Sequence, residues 1–552
     1  MDSWQTSSVT DTYPSAEKAL VEALGALEMG VSEARAKGLE SSVAGSHIFL
    51  NILAPTAMDP DLIEQIMKRL YQRYVKRIAS LHVTQVEMRL LPVLAEGSQP
   101  IPIRMVGSDP TGMALRIDTY VETKDPFSGS VIFTSINGHI TENAGEWDGH
   151  SVNTAYPVLE YLERERAYAQ RTSRTLYCYD FLELIQRALL KRWKTYMKTM
   201  GVLHAVMPPS VMKVRELELV ENGKGEPCEL REVSRPPGRN RIGMVAWQIT
   251  LFTPTYPTEG REVMVIANDI TFKAGSFGTQ EDLFFDLVSK RARRLGIPRV
   301  FFAANSGARI GLAEEVKEVF RVKWREAGNP QSGVDFLYLT EPDYERVKDA
   351  VKAHPVEVEG RRVYRIEAIV GRESDLGVEN LAGSALIAGE TSRAYNDVVT
   401  LTVVSGRSVG IGAYLVRLGQ RTIQKAANAP ILLTGYEALN NLMGKSVYTS
   451  NDQLGGPNIM CPNGVTHLRV DNDYEAVDAM MRWLSFIPRT RHAELLPQPL
   501  SPAVDVVDRS VTVRVSLEPY DVRRLLCGAE EDGQWQSGLF DRGSFMEVLA
   551  DW

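Results

Sequence analysis

An α/β fold with parallel strands is what this sequence predicts, and three observations predict it. Short buried-type strands lead into glycine-containing loops and then helices four times from residue 263 onward, the pattern of repeated βα units. Earlier in the chain, apolar residues switch between helical spacing and strict alternation. The chain has 552 residues, 44% of them hydrophobic and 24% charged, which is ordinary globular composition and more than one core usually supports.

The first block reads as helix and strand in turn, to about residue 150. Leu20, Leu24, Leu27 and Val31 recur at helical spacing, as do Leu62, Ile66, Leu70, Tyr74 and Ile78. Asp59 and Pro60 suit the cap and first turn of the second helix. Ile48 to Leu53 reads as a buried strand, and Val86, Met88 and Leu90 as a half-buried one. Met113–Ile117 and Val131–Phe133 are further expected strands. No catalytic constellation is visible in this block, so a structural role is expected of it. Between 151 and 260, Tyr179–Ile185 opens a helix that runs through Trp193, and Met244–Leu251 reads as a strand. Glu221–Gly225 and Arg235–Gly238 are turn signals.

The signals sharpen from residue 261. Val263–Ala267 is a buried strand, followed by a loop Lys273–Gly278. Thr279 is expected to cap the next helix with Asp282 three residues on. That helix carries Phe284, Val288 and Leu295 on one face and stops at Gly296 before Pro298. Val300–Ala304 then leads into Asn305–Gly311 and a helix from Leu312 to Phe320. Leu401–Val404 leads into Ser405–Gly412 and a helix from Ala413 to Gln424. Ile431–Gly435 leads into one more helix.

Composition excludes several classes. A net charge of −8, from 62 basic and 70 acidic residues, does not suit a general nucleic-acid surface. Cys178, Cys228, Cys461 and Cys527 are scattered, without Cys-x-x-Cys pairs, and the eight histidines lack ligand spacing. Neither a disulfide framework nor a metal site is expected. No apolar run is long enough to span a bilayer and the first residues lack a signal core, so the cytoplasm is the expected location.

Two glycine loops carry the expected chemistry. In Asn305–Gly311 and Gly406–Gly412, glycines let a ligand approach the backbone, and amides of a following helix turn would face it. Two such amide sets facing one point would make an oxyanion hole, which stabilises a thioester enolate. Arg309 and Arg407 lie inside these loops, where a guanidinium would hold phosphate or carboxylate. Gly406–Gly410 also fits Gly-x-Ser-x-Gly, which in an α/β-hydrolase would make Ser408 a nucleophile, with Asp471 or Asp473 and His467 or His492 downstream. Both readings stay open on spacing alone.

The longer motifs separate them. Val265–Lys273 with Gly275–Gly278 and Gln280–Asp282 resembles the carboxyltransferase domain of eukaryotic, fungal-like multidomain acetyl-CoA carboxylases. So do Ala304–Gly311, Ala388–Tyr395, Arg407–Arg421, Tyr448–Asn451 and Gln453–Gly456. The resemblance covers residues 153–552 as the acetyl-CoA-binding half of that domain. Residues 1–152 are similar to the last part of the same enzymes' central scaffold. It implies a crotonase-like (ClpP/crotonase) ββα superhelix preceded by a smaller α/β domain. It implies transfer of a carboxyl group from carboxybiotin to acetyl-CoA, giving malonyl-CoA, the first committed step of fatty acid biosynthesis.

By motif, the amides of Ala308 and Ile411, with Gly307 and Gly410, would stabilise the enolate and biotin oxygens. Arg407, Lys273 and Arg309 would contact coenzyme A. Leu386 and Tyr414 would line the pocket near a dimer interface. The implied partners are a biotin carrier domain and the second carboxyltransferase half of another subunit of a homodimer. No nucleic acid, membrane span or metal is implied here. ATP and Mg belong to a biotin carboxylase domain, which this sequence does not show. The chain stops at Ser544–Trp552, where the resemblance puts the end of the first half. The expectation is a piece of a longer enzyme, inactive in carboxyl transfer alone. The competing expectations are a serine esterase acting through Ser408 and a non-enzymatic scaffold segment.

Overall fold

The computed structural model describes residues 3–37, 46–54, 60–81, 83–92, 101–108, 115–126, 128–136, 147–153, 160–200, 207–220, 228–310, 313–326, 328–369, 381–493, 508–513, 515, 517–531, 533–540 and 546–550. Asp59, Met113, Ala114, Glu221–Gly225, Gly311 and Leu312, which carried expectations above, lie outside them. The chain forms two compact units, Met1–Thr172 with Met207–Val211, and Ser173–Val206 with Met212–Trp552. The expected boundary at 152/153 falls ahead of a helix, Glu160–Ser173, that the first unit holds almost to its end.

In the first unit the order is α1 (Ser3–Ala36), β1 (Ser46–Ala54), α2 (Pro60–Ser80), β2 (Val83–Pro92), β3 (Ile103–Ser108), β4 (Arg116–Lys124), β5 (Val131–Ser135) and α3 (Glu160–Ser173). The five strands make one sheet in sequence order. β1 and β2 run parallel, joined by α2, and the rest pair antiparallel. Leu20 and Leu24 of α1 and Ile63, Ile66 and Leu70 of α2 cluster with Ile48, Leu50, Val86 and Met88 of the strands. β1 is half-buried, not buried throughout: Ile48, Leu50 and Ile52 face the core while Phe49 and Leu53 are exposed. The opposite sheet face supplies the reason. It carries charges, with Arg104 bridging Glu87 and Glu122 while Arg89 also pairs with Glu122.

The second unit runs α4 (Asp180–Met200), β6 (Met212–Val220), β7 (Glu229–Val233), β8 (Met244–Thr253), β9 (Tyr256–Asn268), α5 (Thr279–Leu295), β10 (Arg299–Ala303) and α6 (Glu314–Lys317). It continues with β11 (Arg321–Glu326), β12 (Asn329–Thr340), α7 (Glu341–Val347), β13 (Val351–Val358), β14 (Arg361–Ile369), α8 (Leu381–Asp397), β15 (Thr400–Val404), β16 (Ser408–Val409), α9 (Ile411–Leu418) and β17 (Arg421–Lys425). Last come β18 (Ile431–Leu432), α10 (Tyr436–Met443), α11 (Asp452–Gly455), α12 (Pro457–Met460), β19 (Leu468–Val470) and α13 (Asp473–Ser485).

Its main sheet has the order β19-β17-β15-β10-β9-β8-β6-β7. The five strands from β9 to β19 are parallel, and β6, β7 and β8 add an antiparallel edge. β10 and β15 are buried at every position, as strands covered on both faces must be. One face packs Phe284, Phe285 and Val288 of α5 and Ile387 of α8 against Met264, Ile266, Phe301 and Val404. On the other, Phe181 of α4 stacks on Phe302 with ring centroids 4.0 Å apart.

Several elements differ from expectation. α5 is capped one residue earlier than expected. Glu281 accepts the Gly278 amide at 2.9 Å and, through its other oxygen, the Gly243 amide at 2.8 Å. Glu281 therefore takes the capping role assigned to Asp282, because it also ties down the neighbouring β8 loop. Leu295, on the last turn, is exposed. The helix after Asn305–Gly311 is one turn, Glu314–Lys317. The helix expected over Ala413–Gln424 ends at Leu418, and Arg421–Lys425 is a strand paired with β15. Residues 321–369, to which the sequence patterning assigns no element, form a four-stranded antiparallel sheet with its own core around Leu339, Val347 and Val351. Glu359 and Gly360, at φ 50° and 74°, make its β13–β14 turn, as two-residue hairpins require.

Candidate functional site

The two glycine loops meet. Gly307 has φ 80°, and a Cβ there would lie 2.9 Å from the Val409 carbonyl oxygen and 3.7 Å from the Gly410 Cα. Gly410 has φ 56° and ψ −118°, and its N–H donates to the Leu432 carbonyl at 2.9 Å. Only glycine takes these conformations with so close a neighbour. Both predicted glycines therefore stand where two backbones touch. Ile411 opens α9, so its amide is among those with no partner inside the helix. Ala308 is held differently from expectation. The helix that follows is too short and too distant in sequence to orient it. Instead Phe277 donates to the Gly307 carbonyl at 2.8 Å and accepts the Arg309 amide at 2.8 Å. In a parallel bridge of that form the intervening Ala308 N–H points away from Phe277. Neither amide has an acceptor among the described residues.

A buried asparagine lies under both loops. Asn305, with no exposure, accepts the Gly307 amide and the Val409 amide, each at 3.2 Å, on Oδ1. Its Nδ2 donates to Asn268 Oδ1 at 3.1 Å and Ser408 Oγ at 3.2 Å. Asn268 and Asn305 lie inside the sequence motifs, but the sequence alone assigns their side chains no role. A polar residue at the C-terminal end of each neighbouring strand was the available signal.

The remaining predicted residues fall into different settings. Lys273 is exposed and lies in a left-handed run, with φ 45°, 57° and 66° at Lys273, Ala274 and Gly275. That turn rests on the first loop, since Ser306 Oγ donates to the Ala274 carbonyl at 2.8 Å. Arg309 does not reach outward. Its guanidinium pairs with Glu281 at 2.9 Å and donates to Ser276 Oγ and the Ser276 carbonyl at 3.1 Å each. These bonds use Nε and Nη2 and brace the loop ahead of α5. Arg407 is half-buried, and its guanidinium meets no acceptor among the described residues. Leu386 on α8 and Tyr414 on α9 are exposed, on helices that pack together. Ile310 and Leu433 add exposed apolar surface beside the loops.

The nucleophile reading of Ser408 is overturned. Its side chain is fully buried and its Oγ is engaged by Asn305. His467 is occupied elsewhere, with Nδ1 accepting the Thr422 amide at 3.1 Å. Burial, reinforced by Arg421 and Arg417, pushes its imidazole down to about 4.

Asp282, displaced from the cap, is buried with neither carboxyl oxygen hydrogen-bonded in the described structure. Burial and then the Glu281 charge push its carboxyl up to about 7, against the pull of Arg309. Between pH 4 and 7 the folded state thus holds a proton that the unfolded chain releases. Stability contributed by the neutral acid is present below about pH 4 and is lost as pH rises through 7. Asp282→Asn should therefore leave the melting temperature unchanged near pH 4 and raise stability at pH 8, by up to about 4 kcal/mol. Thermal melts across that range check this, and equal effects at both ends would refute it.

Among the described residues no cluster of His, Cys, Asp and Glu fits a metal ion, and no helix is long and apolar enough to cross a membrane. Residues 256–552 match the family model of the carboxyl transferase domain, and residues 4–145 match that of the acetyl-CoA carboxylase central region. The chain is 41% identical to an acetyl-CoA carboxylase of Dictyostelium discoideum over 97% of its own length and 24% of that protein. It is 42% identical to an acetyl-CoA carboxylase of Saccharomyces cerevisiae over 92% of this chain and 22% of the relative. The acetyl-CoA carboxylase of Schizosaccharomyces pombe is 41% identical with the same coverage. The chain thus spans about a quarter of the length of these relatives.

Proposed function

The chain belongs to the acetyl-CoA carboxylase family through its carboxyl transferase domain, and on that premise we propose that it binds acetyl-CoA for carboxylation to malonyl-CoA, the first committed step of fatty acid biosynthesis. The observation that carries this reading is the backbone contact between Gly307 and Gly410, which joins the loops bearing the Ala308 and Ile411 amides. Hydrogen-bond donors fixed before reaction stabilise an oxygen that gains charge, without reorganising. The two amides would hold the enolate oxygen of the acetyl thioester and the carbonyl oxygen of biotin. The absence of Cβ atoms at Gly307 and Gly410 leaves the close approach that such groups need.

Carboxybiotin, on a carrier domain, would supply the carboxyl group. This chain's own residues bind and orient the acceptor. Arg407, with an uncommitted guanidinium at the loop, would hold a phosphate of coenzyme A, with Lys273 beside the first loop as a second cation. Leu386 and Tyr414 would line the acyl pocket near the partner half of another subunit. The sheet flanked by helices on both faces would be crotonase-like, and the first unit would be a scaffold from the central region. ATP and Mg would act in a biotin carboxylase domain. A cytoplasmic setting fits the four cysteines, none of which forms a disulfide.

Calorimetry with coenzyme A tests the reading. Arg407→Ala should weaken binding roughly tenfold to hundredfold, the scale of one hydrogen-bonded charge pair. Unchanged affinity would remove Arg407 from the site, and no binding by the parent chain would remove the reading.

A further inference from the structure

We infer that Asn305 is a positioning residue that fixes where the Ala308 and Ile411 amides stand relative to one another. The inference rests on the amide-donor reading above and concerns what holds those donors in place.

A primary amide has two acceptor sites on oxygen and two N–H donors. Asn305 uses all four: Gly307 and Val409 on the oxygen, Asn268 and Ser408 on the nitrogen. One oxygen therefore accepts a main-chain amide from each loop, one residue before Ala308 and two before Ile411. The loops cannot shift separately without breaking one of these bonds inside a buried site, where an unmet amide is costly. The nitrogen side fixes which way the amide faces, because turning it over would set N–H against N–H.

Two further contacts make the tie rigid. The Asn305 main-chain N–H donates to the Arg407 carbonyl at 2.7 Å. Asn268 Oδ1 also accepts the Ala304 amide at 3.3 Å, so the hub is anchored to the end of β9. On the far side, α9 approaches so closely that a Cβ on Gly412 would lie 2.1 Å from Asn305 Oδ1. The hub thus touches both loops, the sheet and the helix that Ile411 begins. No other side chain makes bonds to both loops in this way among the described residues.

The test reads the thioester carbonyl rather than stability. With carbonyl-13C acetyl-CoA, difference infrared spectra of this chain should show the carbonyl stretch moved to lower frequency on binding, as paired amides polarise it. Asn305→Ser, which can still take the nearby Gly307 amide but is too short to reach Val409 in the second loop, should lose that displacement while affinity for coenzyme A itself stays within about twofold. A merely structural role would lower the melting temperature and leave the bound carbonyl frequency where it was. A displacement in Asn305→Ser equal to that of the parent chain overturns the inference while leaving the amide reading standing. No displacement in the parent chain with acetyl-CoA bound defeats the amide reading instead. Should Asn305→Ser fail to fold, Ser408→Ala removes one bond to the hub and no bulk. A smaller displacement in that variant supports the inference, and an unchanged one overturns it.

Discussion

Gly412→Ala is expected to cost about 3 kcal/mol or more of stability, at or above the roughly 1–3 kcal/mol usual for overpacking a tight core, and to lose the lowered carbonyl frequency of a bound thioester. The added methyl would sit 2.1 Å from Asn305 Oδ1 and 2.6 Å from its Cγ and Nδ2. The obstacle is a fully hydrogen-bonded amide, not the loose end of a flexible chain. Either α9 retreats, taking Ile411 with it, or Asn305 swings away and leaves the Gly307 and Val409 amides buried and unmet. Gly389, on α8, is the matched control, because nothing lies within 4 Å of the place its added methyl would take. Gly389→Ala should be neutral or gain up to about 1 kcal/mol, since glycine in a helix interior is the poorer former. Urea denaturation of the two variants decides it, and equal behaviour would refute the crowding argument.

Glu390→Ala is expected to cost about 3–5 kcal/mol, the range for breaking one side of a buried ion pair. Glu390 has no exposure. It takes Arg293 at 2.8 Å on one oxygen and Ser289 Oγ at 3.1 Å on the other, and Ser289 in turn accepts from the buried Arg299 at 2.6 Å. Burial lowers the Arg299 guanidinium to about 10, with Glu390 as the group holding it up. Without Glu390 that cation keeps only a hydroxyl and the face of Phe285, 5.0 Å away. Arg293 loses less, because Asp397 remains at 2.7 Å. Adding Arg299→Leu to Glu390→Ala should recover part of the loss, since the stranded charge goes with it. Denaturation at neutral pH measures both steps, and a loss below about 1 kcal/mol would mean the pair is not coupled as described.

The parallel sheet was legible because buried βα units write themselves as apolar runs punctuated by glycine. Val263–Ala267, Val300–Ala304 and Leu401–Val404 all lie in strands of the main sheet or run one residue past them. The helix ends were less legible. Gly419 ended α9 early because Thr422 and Ile423 gain more by pairing with β15 than by continuing a turn. The 321–369 sheet was missed because its strands mix charged and aromatic residues on a half-exposed surface. At the site, glycines were found by their type, while Asn305 was hidden. An asparagine in a loop reads as turn chemistry, and only the meeting of two distant segments shows what its amide does. The pairing of Arg309 with Glu281 was hidden for a related reason: a cation in a glycine loop suggests a ligand, and its bond to a helix-capping carboxylate shows only in the folded chain.

Asn305 and Ser408 are 103 residues apart, with the whole 321–369 sheet strung between them. Closing so long a span is slow, because chain entropy is surrendered before the contact forms. The junction of the two loops is therefore expected to form late in folding, after the local strands and helices, when β15 docks beside β10 and delivers the second loop.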